Sequence, residues 1–303
     1  MRKKILITGS SGKLGEAVTK TIFTESDHQL VLLSSDLSFN PPDDNIIYHK
    51  CNVLDFQKVK KIAYDEKPDY IINCAAVNDP LFCEKNRKLC SDVNVMTYDN
   101  LLSISRVIDC NIIMPSCDYI FSGKYGPYSE DKHPDPVNYL GKSKHAAENN
   151  CRAGSTKVAI IRTSSLYGSS SYNKGGFINE TIRMLEKGKK VHLPHDFYST
   201  PTYSDDAARV ILKFIDKQRY GIYNASSKEM LSRYEIAVKI AEVFGFDKDL
   251  IIKISKDEYK LKNHLPRKAG LISLRSETDL GIKFSSLQEG LSIMKFKKAK
   301  RID

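Results

Sequence analysis

The stretch Ile5-Leu-Ile-Thr-Gly-Ser-Ser-Gly-Lys-Leu-Gly15 constrains this chain more than any other, because an apolar run breaks into three spaced glycines and then into the amphipathic segment 16–23. The pattern predicts a buried strand, a turn and a helix. In that context Gly9 permits the sharp turn, Gly12 lets the backbone approach a pyrophosphate and Gly15 lets helix and strand pack closely. The helix N-terminus then presents free N–H groups and the positive end of its dipole to a phosphate. Gly9, Ser11, Gly12, Lys13, Leu14 and Gly15 are therefore candidate dinucleotide-binding residues. A plain strand-to-helix turn is the alternative, and the placement at the chain's start, after a buried-type strand, favours the cofactor.

Further apolar runs at 29–33, 67–76, 111–115 and 158–163, with a short third strand within 43–55, alternate with helical stretches at 56–64, 83–110 and 139–150. Such alternation needs crossover connections and predicts an α/β fold, a doubly wound parallel sheet covered on both faces. Beyond residue 168 the pattern loosens into a helix at 175–185, a short strand at 191–194, a helix capped by Ser204, a strand at 221–225 and a helix at 233–244. Residues 1–168 are expected to form the dinucleotide-binding domain, with 200–225 returning to it. Segments 169–199 and 226–303 are expected to form a smaller C-terminal α/β substrate lobe. The second strand ends in Ser34, Ser35 and Asp36, where the adenosine ribose is met. Asp36 suits the ribose hydroxyls of NAD, while two serines with Lys13 nearby suit a 2′-phosphate, so NADP is preferred to NAD.

The chain has 303 residues and a formal net charge of +10, which suits anionic ligands. Its one dense basic cluster, 295–301, reads as a solvated tail, and no interleaving of aromatic and basic residues supports a nucleic-acid role. Seven scattered cysteines form no C-x-x-C pair and no zinc spacing, so no metal is expected and a reducing compartment is. The sequence shows neither a signal-peptide core nor a stretch long enough to span a membrane, which predicts a cytoplasmic protein. His133, His192 and His195 lie in proline-flanked loops and read as exposed or packed polar residues rather than bases.

Motifs spread over most of the chain resemble the extended short-chain dehydrogenase/reductases, within them the dTDP-4-dehydrorhamnose reductase branch. They are Thr8-Gly-Ser-Ser-Gly-Lys-Leu-Gly15, Asn73-Cys-Ala-Ala76, Ser116-Cys-Asp-Tyr-Ile-Phe-Ser-Gly123, Gly126-Pro-Tyr-Ser-Glu130, Gly141-Lys-Ser-Lys144, Arg162-Thr163 and Ser199-Thr-Pro-Thr-Tyr203. Pro266-Arg267-Lys268 faintly echoes the family's substrate-lobe signature. The resemblance implies a Rossmann fold and hydride transfer from reduced nicotinamide to the 4-keto carbon of a nucleotide-linked 6-deoxyhexose. It also implies a tyrosine that donates a proton, a lysine four residues later that lowers the tyrosine's pKa and holds the nicotinamide ribose, and a hydroxyl that steadies the carbonyl oxygen. Lys144 matches the lysine and Asp118 the aspartate beside the hydroxyl. By the same resemblance Asn52, Val53, Ala75 and Ala76 line the cofactor, and Asn78 and Asp118 meet the substrate.

Besides Asn52, where the family has an adenine-contacting aspartate, and Asn78, where it has a substrate-contacting threonine, two departures bear on the chemistry. Cys117 stands in place of the hydroxyl, and Leu140 stands four residues before Lys144, with the tyrosine one residue early at Tyr139. On a regular helix residues four apart differ by about 40° and residues five apart by about 140°. Only a π-bulge or an irregular first turn would bring Tyr139 over Lys144. Two readings follow. The preferred one is an NAD(P)-dependent nucleotide-sugar reductase with Tyr139, Lys144, Cys117 and Asp118 as catalytic candidates, because an intact cofactor scaffold is easier to explain if it is used. The other is a degenerate dinucleotide- or nucleotide-sugar-binding protein that acts as a regulatory subunit. A homodimer is left open.

Overall fold

The central strands form because Ile5-Leu-Ile7 and Tyr70-Ile-Ile72 are apolar on both sides, as a sheet covered on both faces requires. The computed structural model describes residues 1–36, 45–154, 157–168, 175–259 and 265–300. Strands β1 (Lys4–Thr8), β2 (Gln29–Ser34), β3 (Ile46–Lys50), β4 (Tyr70–Asn73), β5 (Asn111–Cys117) and β6 (Val158–Thr163) lie parallel in the order β3-β2-β1-β4-β5-β6. After β7 (Val191–Pro194) and β8 (Tyr198–Ser199), β9 (Gly221–Ala225) joins this sheet beside β6, also parallel, making it seven-stranded. Strand β10 (Leu231–Ser232) pairs with β8, and β11 (Ile251–Ile254) with β7. The connecting helices are α1 (Lys13–Glu25), α2 (Phe56–Glu66), α3 (Pro80–Lys85), α4 (Arg87–Ser91), α5 (Thr97–Ile108), α6 (Tyr139–Gly154), α7 (Phe177–Glu186), α8 (Ser204–Lys217), α9 (Arg233–Phe244), α10 (Leu274–Leu280) and α11 (Leu287–Ala299).

Strand alternation divides the core. Ile5 and Ile7 face α1 and α8, where Val18 and Ile22 meet Ala208 and Ile211, whereas Leu6 faces α2, α5 and α6. A third core, built by Ile182, Leu193, Ile236, Ile240 and Leu291, holds the smaller lobe together. This is the doubly wound fold that the alternation predicts. The lobe is entered more than once, because Leu280, Ile282 and Phe284 pack back into the α1–α8 core. Residues 274–284 therefore lie on the sheet side of the expected boundary at 226.

Two local expectations are corrected. Ser204 is the first residue of α8 rather than its cap, and its hydroxyl donates to Asp205 instead of accepting from a helix backbone N–H. The basic C-terminal segment is largely exposed, as expected, but up to residue 299 it is the end of helix α11 rather than a tail. Leu287, Leu291 and Met294 recur at helical spacing and are buried, and a Ser286–Glu289 capping box starts α11. Lys297 then pairs with Asp205 at 2.6 Å and Lys298 with Glu186.

Candidate active site

Strand order reverses between β1 and β4, which opens a crevice at their C-terminal ends. The glycine loop sits there. Gly9 has φ +61° and its α-carbon faces the chain after β4 so closely that a Cβ would lie 2.5 Å from the Ala75 nitrogen. At Gly15 a Cβ would lie 2.2 Å from the Gly9 carbonyl oxygen. Helix α1 begins at Lys13 with Gly12 as a cap that supplies no side-chain acceptor. Ser11 Oγ lies 2.6 Å from Ser34 Oγ, which joins the loop to the end of β2, and Leu14 is anchored in the core. Ala75 and Ala76 are half-buried, and Asn52 and Asn78 are exposed. The Asn52 side-chain oxygen accepts from the Leu54 N–H at 3.0 Å and so shapes its own turn. Val53 beside it is half-buried. Asn73 Nδ2 and Ser116 Oγ, near the ends of β4 and β5, are buried polar atoms without a protein partner. These features fit a bound dinucleotide.

Lys13 does not stand over the end of β2. Its ammonium donates to the carbonyls of Leu166 at 3.2 Å and Gly175 at 2.6 Å, and burial lowers its pKa to about 8. It therefore ties α1 to the chain after β6, and the argument for a 2′-phosphate loses its nearest cation. Ser34 and Asp36 keep their places at the strand end, where Ser34 Oγ accepts from the Asp36 N–H. Residues 37–44 lie outside the described residues.

Lys144 is 4% exposed and donates to the Pro115 carbonyl at 3.4 Å, which brings α6 to the end of β5. Burial lowers its pKa, opposed by the thiols of Cys117, Cys90, Cys74 and Cys83 around it. Cys117 is half-buried, and burial pushes its thiol up to about 12 although Lys144 opposes the shift. At neutral pH it is a weak neutral donor, not a thiolate nucleophile.

Tyr139 and Lys144 are not brought together. Helix α6 is regular from its first residue: Asn138 caps it by accepting from the Gly141 N–H at 2.7 Å, and a Cβ at Gly141 would lie 2.0 Å from the Tyr119 carbonyl. The helix is thus seated against the 118–120 turn and cannot roll. Tyr139 points toward α3 and α4, where its N–H donates to Glu84 at 2.7 Å and its ring lies 5.3 Å from the Arg87 guanidinium. Leu140, 2% exposed, occupies the place four residues before Lys144 and packs with Cys83 and Cys90. The chain does contain a π-helical turn, but it is Asp92–Met96, between α4 and α5.

Asp118 is buried, and one carboxylate oxygen accepts from Ser164 Oγ at 2.5 Å and from the Gly270 N–H at 3.1 Å. It pins the strand ends to the 267–271 strap, whose backbone also meets Gly123 and Tyr198. The loop after Gly126 is pinned by the same strap, since Tyr128 exchanges backbone bonds with Gly270 and Ile272. Burial pushes the Asp118 carboxyl up to about 6 despite the Ser164 and Gly270 bonds. A carboxyl whose pKa is raised on folding gives stability below its unfolded pKa and loses it as pH rises through the folded one. Relative to Asp118→Asn, the wild type is therefore expected to lose up to about 3 kcal/mol as pH rises from 4 past 6. Urea unfolding of both proteins across that range checks the sign; a difference that grows in the other direction refutes it.

The lobe adds residues that sequence reasoning missed. Arg233, at the start of α9, donates to Tyr259 Oη at 2.7 Å, lies 4.4 Å from the Phe177 ring centre and acts electrostatically on Asp118 and Tyr119. The available signal was the Ser232–Glu235 capping box, which puts Arg233 at the positive end of a helix, where a cation is unfavourable without an anionic partner. His133, His192 and His195 are exposed, as expected. No cluster of three or more metal-ligating side chains is placed for a metal among the described residues, and no helix there is long and apolar enough to cross a membrane.

The profile of the family described as RmlD substrate binding domain matches residues 2–298. The chain belongs to this family. Among its relatives, the methionine adenosyltransferase 2 subunit beta of Xenopus laevis is 32% identical over 249 residues, covering 80% of this chain and 72% of that protein. The spore coat polysaccharide biosynthesis protein SpsK of Bacillus subtilis is 28% identical over 291 residues, covering 95% of each. A crystal structure of a dTDP-4-dehydrorhamnose reductase ortholog from Clostridium acetobutylicum superposes with a TM-score of 0.83 at 26% identity, covering 98% of this chain and 99% of that one. This RmlD-family chain thus resembles both a dTDP-4-dehydrorhamnose reductase ortholog and a methionine adenosyltransferase subunit.

Proposed function

We propose that the protein is an NAD(P)H-dependent reductase of a nucleotide-linked 4-keto-6-deoxy sugar. The observation that carries this reading is Lys144, a cation held in the interior at the crevice beside an intact glycine cradle. A buried lysine costs stability unless it serves something there. The dinucleotide, when bound, supplies the hydride. Gly9, Gly12 and Gly15 admit its pyrophosphate, Ala75 and Ala76 leave room for its flat groups, and Lys144 holds the ribose near the nicotinamide. Lys144 also sets positive charge beside the carbonyl oxygen that becomes an alkoxide. Protonation of that oxygen falls to solvent, since the Tyr139 ring lies against the Arg87 guanidinium. Arg233 supplies a cation for the nucleotide's phosphates from the lobe side.

The test follows reduced-nicotinamide absorbance after dTDP-4-keto-6-deoxyhexose is added to the protein with NADPH, and separately with NADH. Consumption is expected; its absence with cofactor bound overturns the reading for that sugar. A second reading is favoured by Leu140 at the tyrosine position and by the methionine adenosyltransferase relative: a dinucleotide-binding regulatory subunit. It predicts cofactor binding without turnover.

Both readings require Lys144. Lys144→Met is expected to weaken NADPH binding by about 10- to 100-fold, the loss of a hydrogen bond from a charged donor. Stability should hold or rise, because a buried cation is removed. Nicotinamide fluorescence and urea unfolding read the two effects, and unchanged affinity removes Lys144 from the cofactor site.

A further inference from the structure

Two buried thiols near Lys144 have no part in hydride transfer. Cys83 on α3 and Cys90 on α4 are both 0% exposed, and their sulfurs stand 2.7 Å apart. That is about 0.7 Å beyond a disulfide bond of about 2.05 Å. Six residues separate them, a spacing that matches no redox motif, which is why the sequence hid the pair.

We propose that Cys83 and Cys90 form a reversible dithiol–disulfide site whose oxidation alters the turn of α6 that carries Leu140 and Lys144. Three observations carry this. First, the sulfurs are in contact and need only a small approach to bond. Second, the pair is wired to α6: Cys90 Sγ lies 3.5 Å from Ser143 Oγ, Asn94 Nδ2 donates both to Cys90 Sγ at 3.3 Å and to Ser143 Oγ at 3.0 Å, and Ser143 Oγ donates to the Leu140 carbonyl at 2.8 Å. Leu140 itself packs on both thiols. Third, the thiols are unequal. The hydrogen bond between them, then Ser143, Lys144 and Asn94, holds Cys90 toward its thiolate against the cost of burial, while the same bond raises Cys83. A nucleophilic sulfur therefore sits against a resolving one.

With hydrogen peroxide as oxidant, the Cys90 thiolate attacks one peroxide oxygen, the O–O bond breaks, and a sulfenic acid and hydroxide form. The Cys83 sulfur then attacks the sulfenic sulfur and expels the second oxygen. The Cys83 proton and the one released in forming the thiolate leave in two waters, so two thiols and one peroxide give one disulfide. A small dithiol reductant reverses the step by exchange. Access comes by local opening: α3 and α4 are each under two turns long and residues 85–89 between the thiols are all exposed, which makes this pair of helices cheap to lift.

The full-length protein is reduced, freed of reductant, treated with hydrogen peroxide, denatured and alkylated. Peptide mass spectrometry is expected to show a Cys83–Cys90 linked pair and the loss of two of the seven alkylation labels, both reversed by a dithiol. Cys83→Ser and Cys90→Ser should each abolish the linked pair. Retention of both labels, or label loss confined to Cys117, overturns the site. NADPH binding, followed by fluorescence, should weaken on oxidation in the wild type and stay constant in Cys83→Ser. Disulfide formation with unchanged affinity overturns the coupling to α6. This arm rests on the cofactor reading, whose failure shows separately, as no NADPH binding by the reduced protein.

Discussion

Exchanging two neighbouring side chains, in the double variant Tyr139→Leu/Leu140→Tyr, is expected to raise kcat on a 4-keto sugar nucleotide by about 10²- to 10⁴-fold, the usual worth of a positioned general acid. The geometry leaves one place for that acid. Leu140 lies four residues before Lys144 on a regular helix, about 40° apart around its axis, so a phenol there shares the lysine's face. Tyr139 is one residue off that face and is held by Glu84 and Arg87. The ring must fit where Leu140 now packs on Cys83 and Cys90, and overfilling such a site costs about 1–3 kcal/mol, which a chain of this size tolerates. Tyr139→Phe alone is expected to leave turnover unchanged. Should the double variant bind NADPH yet gain no turnover, the missing tyrosine is not what limits the chemistry, and the regulatory reading takes over.

That contrast marks what the residues disclosed. The glycine loop and the doubly wound sheet were legible because strand period, glycine spacing and apolar runs are local patterns with one common physical solution. The inverted Tyr139–Leu140 pair was legible too, but not its outcome. Whether the first turn of α6 is regular depends on Gly141 meeting the Tyr119 carbonyl, a contact between segments some twenty residues apart that no periodicity reports. Lys13 was misplaced for the same reason, since its partners at Leu166 and Gly175 lie 153 and 162 residues away along the chain. The C-terminal helix went unread because its i, i+4, i+7 stripe of Leu287, Leu291 and Met294 is short and is interrupted by Gly290. The Cys83–Cys90 contact and the Arg233 cation are products of tertiary packing, and spacing alone carried neither.

Removing one partner of the Arg162–Glu148 pair is expected to cost about 3–5 kcal/mol of stability. Arg162 on β6 is 1% exposed, and its guanidinium donates to both oxygens of Glu148 on α6, at 3.0 and 2.7 Å. A third donor reaches the Glu130 carbonyl at 3.2 Å, and the group lies 5.4 Å from the Phe121 ring centre. The pair thus joins α6, the sheet and the loop after Gly126 at one buried point. Arg162→Met strands the Glu148 carboxylate in the interior, and Glu148→Met strands the guanidinium. The double variant leaves no orphan charge, so most of the loss should return, and urea unfolding of the four proteins reads this as a coupling energy. A single variant as stable as the double would mean that solvent reaches the pair. Glu148 lies four residues beyond Lys144 on the same face of α6, so this anchor also fixes how far the lysine reaches into the crevice. At temperatures where the single variants stay folded, they should bind NADPH more weakly than the wild type, because the helix that aims Lys144 has lost its tie to the sheet.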